Sequence, residues 1–193
     1  IDIPALEEPV IDQEKEGANR VLVGPSRKFV RRIFNRGSWG LNGRFYGGWW
    51  QQVGKDWRSQ IFINDTPSVE VDFKGLHVAI LSAEKGKPLG GDPYELPVDT
   101  LPGTPETLQR SLLKKLLLTA INARDQNSAF RSFRDGYPKG HMAKGLTNEQ
   151  LSAFLSAFTE KHPHLADSLC SDQGIRLMNV DAQIAQRVLD RFT

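Results

Sequence analysis

A carboxylate, a pair of cations and a block of arginines are the side chains here whose types and spacing suit chemistry. Asp72 lies near the end of the run Val69-Glu70-Val71-Asp72-Phe73, an apolar strand pattern that Gly75 turns into a helical one over Gly75–Glu84. A strand end is a rigid place for a metal-binding group; the plainer alternative is an exposed aspartate capping the helix that follows. Arg110 and Lys114 stand four apart on a predicted helix, so both cationic heads share one face, which Leu118 and Asn122 continue. Two cations one turn apart can fix a triphosphate that a single one would let swivel, although a solvated helix face has the same spacing. Between residues 25 and 60, eight bases, Arg31, Arg32 and Arg44 among them, stand against one acid, Asp56. Aromatic residues such as Phe29, Phe34, Trp39, Trp49, Trp50 and Trp57 interleave with them. That mixture suits phosphate contact and base stacking, or equally a half-exposed lobe whose aromatics form a core.

The elements that must hold these groups read as α+β. A helix is predicted from Ser26 to Arg36, with Ser26 as N-cap, Phe29, Val30 and Ile33 on one face, and Gly37 as the stop. Gly43 to Gly47 reads as a short strand or turn. Ser59–Ile63 and Ser68–Phe73, joined through Asn64-Asp65-Thr66-Pro67, read as a β-hairpin. Five prolines and four glycines between 86 and 105 predict a long connecting loop. Thr104 and Pro105 open a helix through about Ala123, and Gln126–Arg134 forms another. Thr147 and Gln150 make a capping box for a helix to Lys161, which Pro163 ends; a short turn near His164–Leu169 and a helix from about Leu177 to Phe192 follow. This order predicts a small antiparallel sheet with a predominantly helical region. An acidic lead-in arm over residues 1–25 precedes a single domain over 26–193, its sheet portion at 26–85 and its helical portion at 104–193.

Composition narrows the function classes. The chain has 193 residues, 39% hydrophobic and 25% charged, with no apolar run near the roughly 18 residues of a membrane span, so no membrane partner is expected. Its single cysteine, Cys170, cannot make an internal disulfide, and with no signal-peptide pattern it predicts a reducing cytoplasm. The net charge of +2 hides an uneven distribution. Residues 1–20 hold six acids against two bases, whereas residues 110–144 hold eight bases against two acids. No histidine has a partner at zinc spacing, and no glycine loop of the NTPase kind occurs. Asp181, amid apolar residues at helical spacing, reads as an exposed helix residue.

Taken in order, Gly43-Arg44-Phe45-Tyr46 with Gln51, then Val71-Asp72-Phe73 with Gly75-Leu76-His77, then Arg110-x-x-x-Lys114, resemble the palm and fingers of family A DNA polymerases and phage-type single-subunit RNA polymerases. The resemblance covers residues 43–123. It implies a palm-like sheet, a fingers-like helical region, and nucleic acid and a nucleoside triphosphate as partners. By it, Asp72 and the Phe73 carbonyl would bind catalytic Mg²⁺, and Arg110 and Lys114 would neutralise the β- and γ-phosphates. Arg44 would contact the nucleic-acid backbone, alongside Arg31, Arg32 and Gln51. His77 falls where the DNA enzymes place a glutamate that excludes a ribose 2′-hydroxyl. Asn122 stands where they carry a tyrosine, so their stacking platform is missing. Two-metal nucleotidyl transfer also needs a second carboxylate, which the family carries on a hairpin after a long helix and which is expected here beyond Thr193. The alternative is a nucleic-acid-binding protein that keeps the scaffold without the chemistry.

Overall fold

A computed structural model describes residues 10–12, 19–21, 23–24, 27–96 and 100–192. The class is the expected α+β. The chain packs as two compact units, residues 1–34 with 43–74, and residues 35–42 with 75–193. Most of the acidic lead-in lies outside the described residues.

In the first unit, β1 (Val10–Asp12) pairs antiparallel with β2 (Asn19–Val21), Val10 opposite Val21. A strand, β3 (Arg31–Asn35), stands where a helix was predicted from Ser26 to Arg36, and it forms a hairpin with β4 (Ser38–Tyr46). Two local reasons favour the strand. Ile33 and Phe34 are β-branched and aromatic, and exposure alternates along β3 with the period of two that a half-covered strand requires. Arg36 and Gly37 both have positive φ, 52° and 64°, the left-handed pair of a two-residue hairpin turn, so Gly37 turns a hairpin instead of stopping a helix. A 3₁₀ turn at Trp49–Gln51 and the short α1 (Lys55–Arg58) follow. Val21, Trp49 and Val53 form a small buried core, with Trp50, Trp57 and Ile61 against it. These tryptophans are therefore core.

The second predicted hairpin is much shorter than expected. Asn64 and Asp65, at φ 48° and 61°, turn β5 (Phe62–Ile63) into β6 (Thr66–Pro67), Phe62 opposite Pro67. Residues 68–73 are not a strand. Val69 and Val71 are 84% and 85% exposed, so the apolar alternation that predicted a strand has no sheet or core to cover among the described residues. Such a pattern forms a strand only against cross-strand partners.

The second unit is helical, and its elements follow their sequence signals except at one start: the helix predicted to open with Thr104 as N-cap has Pro105 in that position, with no side-chain cap. Its helices are α2 (Leu76–Glu84), α3 (Glu106–Asn122), α4 (Gln126–Asp135), α5 (Asn148–Lys161) and α6 (Gly174–Phe192). On α3, Leu112, Leu113, Leu116, Leu117, Ala120 and Ile121 are each exposed by 2% or less, nearly three turns of buried stripe that meet α4, α5 and α6. The α5 capping box forms in full, Thr147 Oγ1 accepting from Gln150 N and Gln150 Oε1 accepting from Thr147 N. The predicted turn after Pro163 is a 3₁₀ turn, Pro163–Ser168. The hairpin tip, residues 35–42, belongs to this unit. Asn179 on α6 donates to the carbonyls of Trp39 and Asn42, both at 3.0 Å, and Arg36 makes two bonds to Asp172 at 2.7 and 3.2 Å. No helix among the described residues is long and apolar enough to cross a membrane.

Leu116→Ala leaves a cavity at the centre of this core and is expected to lower stability by about 2–5 kcal/mol. Leu118→Ala, on the 52%-exposed side of the same helix, should change it by less than about 0.5 kcal/mol; urea unfolding measures both. The bond to Arg36 holds the Asp172 carboxyl below its usual range. The stabilisation from that depressed value is present above the ordinary carboxylate pKa of about 3.9 and is lost as pH falls through the lower folded value. Asp172→Asn should therefore unfold more readily at neutral pH and show a shallower loss of stability on acidification.

Candidate functional site

The predicted nucleotide-binding residues lie mainly on α2 and α3, and the packing of these two helices decides which of them meet. Gly75, at φ 64°, turns the chain into α2 with no side-chain cap, so Asp72 is not the helix cap that the plainer reading made it. The next residues place Val78, Ile80 and Leu81 in the core. His77 is left half-buried at a groove of about 320 Å³ that it lines together with Tyr94, Ser111, Lys114, Lys115 and Leu118. Val78, Leu117 and Ile121 complete an apolar wall. The groove thus joins His77 and Lys114, two residues singled out for the nucleotide.

The three cations on this side of α3 differ in commitment. Lys114 is exposed. Lys115 donates to the Gly136 carbonyl at the end of α4 and sits 3.6 Å from the centre of the Tyr137 ring, a cation–π contact that secures the helix C-terminus. Arg110, predicted to act with Lys114, is held by Asp92, whose Oδ2 accepts from its Nε at 2.7 Å and its Nη2 at 2.6 Å. Asn122 donates to the Leu118 carbonyl at 2.7 Å and packs on Gly174, where a Cβ would fall 1.7 Å from Asn122 Oδ1. This residue closes the helix end against α6. Its observed role is packing.

Asp72 and Phe73 belong to the first unit, both exposed, in an irregular segment instead of at a strand end. Among the described residues no group of three or more His, Cys, Asp or Glu is placed to hold a metal ion. Asp72 offers one carboxylate, and the described residues alone do not fit a two-metal magnesium centre.

The predicted nucleic-acid contacts also divide by commitment. Arg31 is exposed on β3, and Arg44 is half-buried on β4. Arg32 lies over two rings, 5.0 Å from the centre of Phe34 and 5.4 Å from that of Phe45, and its Nε donates to the Gly43 carbonyl at 2.6 Å. That geometry spends its planar head on the hairpin itself. Gln51 closes the loop after β4, accepting from Gly47 N at 3.0 Å and donating to the Phe45 carbonyl at 2.9 Å.

Sequence reasoning missed Asp92, Tyr94 and Ser111. Asp92-Pro93-Tyr94 carried a local signal, since an aspartate ahead of a proline starts a turn, and Asp92 Oδ1 does accept from Tyr94 N at 3.0 Å. Burial and the nearby Asp92 charge push the Tyr94 hydroxyl above its ordinary pKa, so it stays a neutral phenol at the groove.

Arg32→Ala should destabilise by about 1–2 kcal/mol through loss of its ring contacts, while Arg31→Ala should stay within about 0.5 kcal/mol; thermal melts of the two variants test the division. No protein-family model, curated protein or solved structure matches this chain.

Proposed function

We propose that this is a polymerase-like protein that binds nucleic acid and a nucleoside triphosphate, with magnesium-dependent nucleotidyl transfer where a second carboxylate beyond Thr193 completes the site. One observation carries the reading: the groove in which α2 contributes His77 and α3 contributes Lys114. These are residues that the resemblance to family A and phage-type polymerases assigns to the nucleotide. A cation, a hydroxyl and an imidazole above an apolar wall suit a ligand with an anionic end and a planar or apolar body. Lys114 supplies charge to the phosphates, Ser111 a hydroxyl, and Val78 and Leu117 a surface for sugar or base. His77, at the groove, stands where the resemblance puts a glutamate that excludes the ribose 2′-hydroxyl, and it leaves both ribo- and deoxyribonucleotides as candidate ligands. The resemblance assigns Asp72 one magnesium carboxylate, and the described residues alone do not make up a two-metal centre around it. The compartment proposed is a reducing cytoplasm, in which Cys170 remains a thiol.

The second reading, a nucleic-acid binder on the same scaffold without chemistry, is favoured by the Arg110–Asp92 pair, which occupies one of the two cations meant for a triphosphate. It places binding on the first unit's basic residues, Arg31 and Arg44 foremost, with no metal requirement.

Calorimetric titration with a nucleoside triphosphate should show binding that Lys114→Gln weakens about tenfold, the scale of one lost charge-assisted bond. Unchanged affinity in that variant overturns the groove as the nucleotide site. Primer extension by protein extended past Thr193 should be abolished by Asp72→Ala. Extension equal to wild type removes Asp72 from the reaction, and binding to DNA or RNA that is indifferent to salt contradicts both readings.

A further inference from the structure

Arg110 already holds an anion. Both of its bonds to Asp92 end on Oδ2, at 2.7 and 2.6 Å, and a phosphate oxygen accepts from a guanidinium edge in the same way. Asp92 Oδ1 is tied to Tyr94 N at 3.0 Å, and the guanidinium lies 5.6 Å from the centre of the Tyr94 ring. Tyr94 is only 6% exposed, so the loop is anchored in the core through that ring, and release of Arg110 needs only a rotation of the Asp92 side chain, at the cost of its bond from Tyr94 N. The Arg110 and Asp92 side chains keep 38% and 20% of their exposure, so water and ions reach the pair. A pair of that kind contributes little to stability and is readily displaced by a more highly charged competitor.

The surroundings explain why an incoming anion does not find Arg110 open. The adjoining cavity, about 140 Å³, is lined by Asp92, Glu95 and Glu106 with Arg110, and Lys161 pairs with Glu95 at 3.8 Å. With Asp92 in place its carboxylate cancels the Arg110 charge beside Glu106, and turning it away exposes the guanidinium to an incoming anion. Lys161 holds the same loop, donating to the Glu95 carbonyl at 2.8 Å, so displacement of Asp92 does not require the loop to detach.

Resting on the reading that Arg110 and Lys114 serve a triphosphate, we propose that Asp92 is a built-in competitor that occupies Arg110 until a polyphosphate displaces it. Lys114 meets the ligand first, and Arg110 joins only when the ligand's negative charge replaces that of Asp92. Asp92 is then a positioning residue that sets the affinity of the site and discriminates against weakly charged ligands such as monophosphates.

The test is titration calorimetry of the full chain at low salt with inorganic tripolyphosphate and, in parallel, a nucleoside triphosphate. Asp92→Asn keeps an acceptor for Tyr94 N and removes the charge. It should tighten binding about threefold to fivefold, the fold-change equivalent to the roughly 1 kcal/mol of a partly exposed pair. In an Arg110→Gln background the same substitution should give no gain. A purely structural salt bridge predicts a lower melting temperature and no gain in affinity. If Asp92→Asn binds no more tightly while Lys114→Gln still weakens binding, the competitor role is overturned and the nucleotide reading stands. If neither ligand binds wild type or Asp92→Asn, both fail. Asp92→Ser, which also offers Tyr94 N an acceptor, repeats the measurement; loss of folding in both Asp92 variants makes the residue a structural strut and overturns the proposal.

Discussion

The helical unit depends on how the end of α3 is closed. A helix buried along one face still leaves its last carbonyls without partners, and unpaired carbonyls inside a core would cost more than the leucines around them could offset. Here the segment before α6 supplies the donors. Cys170 N bonds to the Ala120 carbonyl at 2.8 Å, Gln173 N to Ile121 and Asp172 N to Ala123, each at 2.9 Å. To reach them the chain adopts left-handed geometry at Cys170 and Asp172, with φ of 53° and 54°. That strain is accepted because three backbone bonds and the start of α6 follow from it. Gly174 then passes so close to Asn122 that a side chain would collide, and α6 leaves from the end of α3 in a direction fixed by this contact.

The position of the hairpin tip follows from the same junction. Asp172, one residue before Gln173 in the capping segment, carries the carboxylate that receives Arg36. About one and a half turns into α6, Asn179 is 5% exposed and uses its amide nitrogen on two hairpin carbonyls, while its Oδ1 accepts from Gln183 Nε2 at 2.7 Å. A buried amide with donor and acceptor both satisfied fixes one register, since a one-residue slip would present it with groups of the wrong kind. The capping of α3, the start of α6 and the seat of residues 35–42 are therefore one connected arrangement.

This connection explains what could be read in advance. The helices were legible because their signals are local: the leucine spacing of α3, the Thr147–Gln150 box, the proline after Lys161. The strand β3 was not, because Phe29, Val30 and Ile33 are compatible with both a helix face and a strand, and the deciding residue, Arg36, takes a positive φ that is uncommon for its type. Residues 68–73 read as a strand from an alternation that is present, but a strand also needs a neighbour, which lies outside any local pattern. At the site, the shared face of Arg110 and Lys114 was visible in their spacing. That His77 and Lys114 line one groove had no signal in their spacing, and the Arg110–Asp92 pair, across a proline-rich loop, had none either.

Charge is where counting residues misleads most. The basic stretches suggested two cationic surfaces, yet much of that charge is spent inside the fold. Arg32 lies over Phe34 and Phe45, Lys115 and Arg134 hold backbone carbonyls, and Arg176 grips Glu84 with two bonds at 2.8 Å. Each cation serves a backbone acceptor, a carboxylate or a ring, so the field that reaches solvent is weaker than the sequence total and concentrated on residues such as Arg31 and Lys114. A ligand is recognised by charges that are exposed or can be released cheaply. Lys114 is of the first kind. Arg110, with its partly exposed pair and its partner on a loop anchored elsewhere, is of the second, and under the competition proposed above that difference would give the two cations of the helix stripe an order of engagement.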